Sequence, residues 1–373
     1  MLKSQRFLAL DVFRGMTICF MIIVNTPGNE MTFAPLLHAK WHGFTPTDLV
    51  YPSFLFAVGN ALSFVLPKWE GMHPSSVISK IFKRTTILFL LGFLMYWFPF
   101  LAFNDANHLS VMPLSETRIM GVLQRIALCY GIGAILIYFL KTRLAIISGL
   151  AMLLLYWALC FWLGDAADPY SLTGNIGYHL DLRLLGEAHM YHGEGIAFEP
   201  EGLLSTMPAI VNVIAGFAVG QFVQQKAKQY DGLFKLLLAG VLLVFLAYCW
   251  NRVFPINKKL WTSSFVLLSV GFDCIILSAV IYWIDFAKKT KWTYFFEVFG
   301  KNPLFVYLLS ELLVTCLYLI PMNQNDNLFS WLYINIFSYV GNYYGSLLFA
   351  LTYMFVCWSV GFWLDKRKMY VRV

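Results

Sequence analysis

Ten apolar runs, each close to the length of one bilayer crossing, restrict this chain to very few folds. They lie near 7–25, 46–66, 81–102, 119–140, 144–163, 203–224, 233–250, 261–284, 303–320 and 345–364. About 20 apolar residues carry a helix across the hydrocarbon core. Lipid offers no partner for backbone N–H and C=O groups, so a run of this length must satisfy them internally as a helix. The pattern predicts an all-α polytopic membrane bundle of about ten transmembrane spans. Composition agrees, with 59% apolar and 13% charged residues in 373, against roughly 45–50% and 25% in soluble domains.

The net charge of +7 invites a nucleic-acid reading, but its distribution speaks for topology. With the N-terminus inside, 19 of the 27 Lys and Arg fall at cytoplasmic ends and loops, from Lys3 and Arg6 through Lys68, Lys228 and Lys301 to Arg372. That is the positive-inside bias, which places both termini in the cytoplasm and leaves no surplus to explain by nucleic acid. All seven cysteines lie within apolar runs, so neither a disulfide framework nor a metal spacing is readable. The first run carries Asp11 and Arg14 and lacks a small-residue cleavage site, so it is expected to be retained.

No linker, low-complexity tract or repeat divides the chain, so a single transmembrane domain over 1–373 is expected, with an external acidic loop at about 164–202. That loop carries Asp165, Asp168, Asp181, Glu187, Glu194, Glu199 and Glu201 against one Arg183. It would attract a cationic amine, although a solvated loop is the plainer reading. At 300–303, Gly-Lys-Asn-Pro interrupts an apolar stretch. Proline predicts a break with Pro303 opening the outgoing helix, where Lys301 and the Asn302 helix start would suit a phosphate. The alternative is a break that merely begins a helix. The aromatic segment 329–342 predicts a short interfacial or re-entrant helix.

The polar loop 25–52 holds the groups best suited to chemistry. His38 and His42 are four apart and would share a face if the loop were helical; either could act as base or nucleophile in acyl transfer. A histidine pair also suits a metal, but further ligands at recognisable spacing are missing, and no metal is expected. Asn25 could donate to a developing oxyanion or cap the first helix. Asp48 could orient a histidine or cap the second helix, and capping is favoured. Asp11 and Arg14, at i and i+3, should pair. Arg125, with no acid near it in its own run, should pair across helices or hold an anionic ligand. Asp273 and Glu311 are isolated acids in apolar runs, either satisfied core groups or part of a cavity.

Several strings carry a resemblance. His38-Ala39-x-Trp41-x-Gly43 leading to Thr45, Asp48, Leu49, Val50 and Pro52 resembles the signature of the lysosomal heparan-α-glucosaminide N-acetyltransferases and their bacterial relatives, within the transmembrane acyltransferase superfamily. Asp11-x-Phe13-Arg14-Gly15, Gly121-Val-Leu-Gln124-Arg125, Pro200-Glu201-Gly202 and Pro255-x-Asn257-Lys258-x-Leu260-Trp261 resemble further segments of the same family, in the same order. The loop from Asn25 to His38 is slightly longer than in the animal enzymes, which also carry an extra N-terminal span and lumenal region.

The resemblance implies a multi-pass enzyme of a bacterial inner membrane that moves acetyl from cytoplasmic acetyl-CoA to a glucosamine-type acceptor at the external face. It selects His38 over His42 as the catalytic histidine, with Asn25 and Asp48 beside it. Arg125, Gln124, Lys301, Asn302 and Arg14 are assigned to acetyl-CoA, and Glu201, Asn257, Trp41 and His42 to the acceptor, although an N-terminal helix charge is the favoured role of Glu201. Direct transfer in a ternary complex is preferred to a covalent acyl-imidazole, which water would hydrolyse at this face. A homodimer is left open. The rivals are an O-acyltransferase of an envelope glycan or lipid headgroup, and a sugar transporter, which would also need a broken helix and buried charges; the His38 loop favours chemistry over transport.

Overall fold

The computed structural model describes residues 7–103, 109–227, 229–323 and 326–371; Lys3, Arg6, Lys228 and Arg372 lie outside that set. In chain order the elements are α1 (Leu8–Asn25), α2 (Pro46–Val65), α3 (Pro74–Trp97), β1 (Leu101–Phe103), β2 (Leu109–Val111), α4 (Val122–Leu163), α5 (Ile176–Leu184), α6 (Thr206–Lys226), α7 (Tyr230–Trp250), α8 (Ser263–Ile281), α9 (Thr293–Lys301), α10 (Pro303–Leu319), α11 (Leu328–Leu332) and α12 (Asn342–Lys366). The chain is a polytopic helical membrane protein. Each of the ten apolar runs coincides with a helical segment.

Among the described residues, seven helices are long and apolar enough to cross a membrane, and eight if α9 and α10 count as one broken span. Two features account for the difference from ten. The 42 residues of α4 cover two of the expected runs, and at 1.5 Å per residue would reach about 63 Å, twice the hydrocarbon thickness. Lys141, at φ 60° and ψ 174°, breaks it between them. Meanwhile α3 carries Lys80, Lys83 and Arg84 in its first half, which lowers its apolarity. It also starts earlier than expected, with Pro74 in its first turn, and stops before Pro99, so the expected run to 102 becomes the short antiparallel pair β1–β2.

The break at 300–303 is present: α9 and α10 meet at 83°, with Pro303 in the first turn of α10. The segment after 327 forms α11 and continues in helical turns to Val340.

The described residues form two compact units. The first comprises 7–40, 44–54 and 276–371. Within it α1 lies directly on α9 through two glycines. A Cβ on Gly15 would stand 1.9 Å from the Phe296 carbonyl oxygen, and one on Gly300 2.3 Å from that of Asp11, so only glycine permits the approach. Phe329, Tyr333 and Phe349 pack together at the other end of α12.

The second unit comprises 41–43 and 55–275, with α4 packed on α3 and α6. Here α6 carries Gly216-x-x-x-Gly220, and a Cβ on Gly216 would stand 2.0 Å from the Phe56 carbonyl oxygen of α2. Buried polar groups on neighbouring helices are bonded to one another. Asn212 accepts from the Trp261 indole at 3.1 Å and donates to Ser269, and the Ser263 hydroxyl donates to the Leu153 carbonyl.

Candidate active site

The segment 37–45 contains no α-helix, so the premise that His38 and His42 share a helical face fails. The two histidines belong to different units and have different partners.

In the first unit, Thr45-Pro46-Thr47-Asp48 opens α2. Proline suits the first turn, and an acid three residues after a Thr cap is the sequence mark of a capping box. Asp48 Oδ2 accepts from the Thr45 backbone N–H at 2.9 Å, its hydroxyl at 3.1 Å and the Ala39 N–H at 3.2 Å. Its other oxygen, Oδ1, lies 2.7 Å from His38 Nδ1. Asp48 therefore both caps the helix and orients the histidine, where capping was the favoured single role. Asp48 is 1% exposed, and the His38 side chain 46%. A buried carboxylate on Nδ1 takes that nitrogen's proton as a hydrogen bond and fixes the tautomer in which Nε2 is basic.

Thr45 also donates to the Leu37 carbonyl, and Thr47 to that of Pro35, tying the loop bearing His38 to the start of α2. Asn25, exposed at the end of α1, donates through Nδ2 to Glu311 Oε1 at 3.4 Å. The cap of α1 is Thr26, whose hydroxyl donates to the Ile22 carbonyl, so the Asn25 amide is not spent on capping. Glu311, isolated in sequence, acquires its partner this way.

In the second unit, His42 Nδ1 lies 3.4 Å from the Asn257 amide. Burial lowers the His42 pKa, against the attraction of Asp168, so its imidazole is neutral near pH 7. Asn257 is fully buried and builds its own turn, accepting from the Leu260 N–H while its backbone N–H donates to Thr262. The Trp41 indole donates to the Tyr170 carbonyl at 2.9 Å, its ring meets Phe198 edge-on, and Lys259 lies over its face. Trp41, His42 and Asn257 are thus neighbours within the second unit.

Glu201 stands elsewhere in its role. Helix α6 begins only at Thr206, so Glu201 is not a helix-start charge. It pairs with Arg118 at 2.7 Å, and the same guanidinium holds Glu199 with bonds of 2.5 and 2.9 Å. Burial opposes the Arg118 charge, but Glu199, Tyr96 and Glu201 outweigh it and raise its pKa. At Glu201, burial is outweighed in turn by Arg118, Arg125 and Lys258, which hold its carboxyl below the usual range. With Glu194 bonded to Lys259 at 2.6 Å, three of the loop's seven acids are paired with cations from outside it. Asp181, buried beside the loop's return to α6, accepts from the Leu203 N–H at 2.9 Å; burial pushes its carboxyl up to about 7.

The groups assigned to a phosphate-bearing donor are dispersed. Lys301 pairs with Asp365 at 2.9 Å, and the Asn302 amide donates to the Met369 carbonyl while accepting from the Val371 N–H. The chain's own C-terminal segment thus occupies the helix start expected to hold phosphate. Arg14 pairs with Asp11 at 2.8 Å, as its spacing predicts, and also donates to the Gly300 carbonyl, satisfying the end of α9. Arg125 is fully buried over the Trp261 ring, donating to Gly202 O and Ser205. This places it next to the acidic loop's return in the second unit, while Lys301, in the first, adjoins the C-terminal tail. Arg125 Nε and Nη1 and both Gln124 amide atoms are buried without hydrogen-bond partners.

Sequence reasoning did not find Arg118 or Tyr170, and it left Glu311 open between a core group and part of a cavity. Their partners are 81, 129 and 286 positions away, beyond any local spacing rule.

No protein-family model matches the chain. Two curated proteins do. The heparan-alpha-glucosaminide N-acetyltransferase of Mus musculus is 26% identical over 365 residues, covering 83% of this chain and 54% of the mouse protein. That of Homo sapiens is 27% identical over 356 residues, covering 81% and 52%. The chain spans about half the length of the curated relatives it matches. Similarity over four-fifths of a helical membrane chain makes this protein a distant relative of the heparan-α-glucosaminide N-acetyltransferases.

Proposed function

We propose that this protein is a multi-pass acetyltransferase of a bacterial inner membrane, taking acetyl from cytoplasmic acetyl-CoA and passing it to the amine of a glucosamine-type sugar at the external face. The observation that carries this reading is the buried Asp48 carboxylate 2.7 Å from His38 Nδ1, the arrangement that prepares an imidazole as a base. The names of the two relatives supply the acceptor class and the N-acetyl product.

His38 Nε2 takes a proton from the acceptor amine as its nitrogen attacks the thioester carbonyl. The C–N bond forms, the C–S bond breaks, and the thiolate receives the proton from the imidazolium. Asn25, in the same unit and steered by Glu311, donates to the oxyanion. A single step of this kind needs only a base and a donor held in place. Recognition of the sugar is assigned to Trp41, His42, Asn257 and Glu201, all in the second unit. Arg125 and Gln124 remain assigned to the acyl donor, Arg125 through its unpartnered Nε and Nη1. Lys301, Asn302 and Arg14 hold the broken helix.

The test is to incubate purified protein with acetyl-CoA and glucosamine and measure free thiol together with the mass of the product. Thiol release that depends on glucosamine, with an amide product stable to hydroxylamine, supports N-transfer. A hydroxylamine-labile product would turn the reading to O-acylation, and absence of thiol release would reject it.

A further inference from the structure

Within the second unit, a neutral polar side chain in a membrane-spanning helix is, like Gln124 on α4, buried with both amide atoms unbonded. Asn60, on α2, is 3% exposed, and both its amide oxygen and its amide nitrogen lack a hydrogen-bond partner. An unsatisfied buried polar group costs about 1–3 kcal/mol, and polar residues at membrane depth mark a pathway or a site more often than packing. Around it the chain has put other polar groups. The Ser63 hydroxyl donates to the Asn60 carbonyl at 2.7 Å and accepts from Gln224 Nε2 at 2.6 Å, and Gln224 also donates to the Gly220 carbonyl. Gly220 of α6 packs directly against them. A Cβ on Gly220 would stand 2.6 Å from Ser63 Oγ and 3.1 Å from Asn60 Oδ1.

The cluster has a definite place along its helices. Asn60 is five residues from the end of α2, about 8 Å, where Lys68 follows, and Gln224 is two residues before Lys226 at the end of α6. The charge bias assigns both ends to the cytoplasm. The groups are neutral, so they select a neutral ligand segment carrying both a donor and an acceptor. A secondary amide offers one N–H and one C=O, the complement of an asparagine side chain.

We infer that Asn60, beside Ser63 and Gln224, binds a secondary amide of the pantetheine arm of the acyl donor on its way in from the cytoplasmic side. This rests on the acetyl-CoA reading above and adds to it the residue that grips the arm. Phosphates are left to the exposed lysines at the rim, and the amide supplies what a bare thioester lacks.

The experiment is equilibrium binding of acetyl-CoA and of acetyl-pantetheine, which has the amides without the phosphates, to purified wild-type protein and to Asn60→Leu, with melting temperatures of both. Leucine keeps the branching and number of side-chain heavy atoms and removes the unsatisfied polar atoms. The variant is therefore expected to melt no lower than wild type while binding both probes about tenfold more weakly, the worth of one good hydrogen bond. Equal binding by the two proteins would overturn the inference and leave Asn60 as a helix-packing or water site. A loss seen with acetyl-CoA but not with acetyl-pantetheine would overturn it too, since the effect would then lie with the phosphates. If wild type binds neither probe, the donor reading falls and this inference with it. Should Asn60→Leu fail to fold, Asn60→Ala carries the same comparison.

Discussion

Replacing Asp48 with asparagine changes one atom in the proposed machinery, and its consequence can be worked out from the bonds it breaks. Asp48 is almost wholly buried and accepts from four groups: His38 Nδ1 at 2.7 Å, Thr45 N at 2.9 Å, Thr45 Oγ1 at 3.1 Å and Ala39 N at 3.2 Å. Asparagine has one acceptor oxygen and one NH2. Two backbone N–H groups cannot turn away, so the oxygen should stay with them and the NH2 should face His38. The imidazole must then accept at Nδ1 and carry its proton on Nε2, leaving no basic nitrogen for the acceptor amine. A comparable carboxylate-to-amide change in a serine protease triad costs about 10⁴ in kcat through the wrong tautomer, and general-base catalysis contributes about 10²–10⁴. A fall of 10²–10⁴-fold in acetyl transfer is therefore expected for Asp48→Asn. Stability should change far less, because a charge-assisted bond worth about 1.5–3 kcal/mol is lost while burial of the charge is relieved. The assay is glucosamine-dependent thiol release beside a melting curve, with Thr45→Ala as control, since it removes one hydroxyl and leaves the carboxylate. A variant keeping more than about a tenth of wild-type rate, against the expected loss, would refute the orienting role. A collapse of melting alone would return Asp48 to being a helix cap.

His38→Ala should abolish transfer in a folded protein and His42→Ala should be milder, checked in the same assay; equal modest losses would point to a shared structural role. Radiolabelled acetyl-CoA supplied without acceptor should leave no stoichiometric label on the protein, and label lost in His38→Ala and chased by glucosamine would establish a two-step route instead. Arg118→Met strands Glu199 and Glu201, so a cost of about 3–5 kcal/mol is expected, part of it recovered by adding Glu199→Gln; thermal unfolding in detergent measures both. Asp181, pushed up to about 7 in the folded state from an ordinary 3.8, binds its proton more tightly when folded. Its contribution is thus fully present below about pH 4 and lost as pH rises through 7, on the order of 4 kcal/mol at most. Wild-type melting should fall between pH 5 and 8 more steeply than that of Asp181→Asn, and parallel curves would reject the assignment.

The sequence by itself determined the membrane class, the number and positions of the apolar segments, the break before Pro303 and the Asp11–Arg14 pair. These are local properties: run length, a missing N–H, and i,i+3 spacing all act within a few residues. The Thr45-x-x-Asp48 cap was equally legible. What only the tertiary structure decided involves residues far apart in the chain. Whether Asp48 caps or orients depended on where the loop returns His38, and the answer is both. Glu201 reads as a helix-start charge until Arg118 arrives from 83 residues away. Lys301 and Asn302 read as a phosphate site until Asp365, Met369 and Val371 fold back on them. In each case a charge or helix end advertises an unmet need, and sequence reveals the need without the partner. Inside a membrane, where unpaired charge is too costly to leave, tertiary packing supplies that partner, and among the buried polar atoms it leaves unmet, those of Arg125, Gln124 and Asn60 are the ones assigned to a ligand.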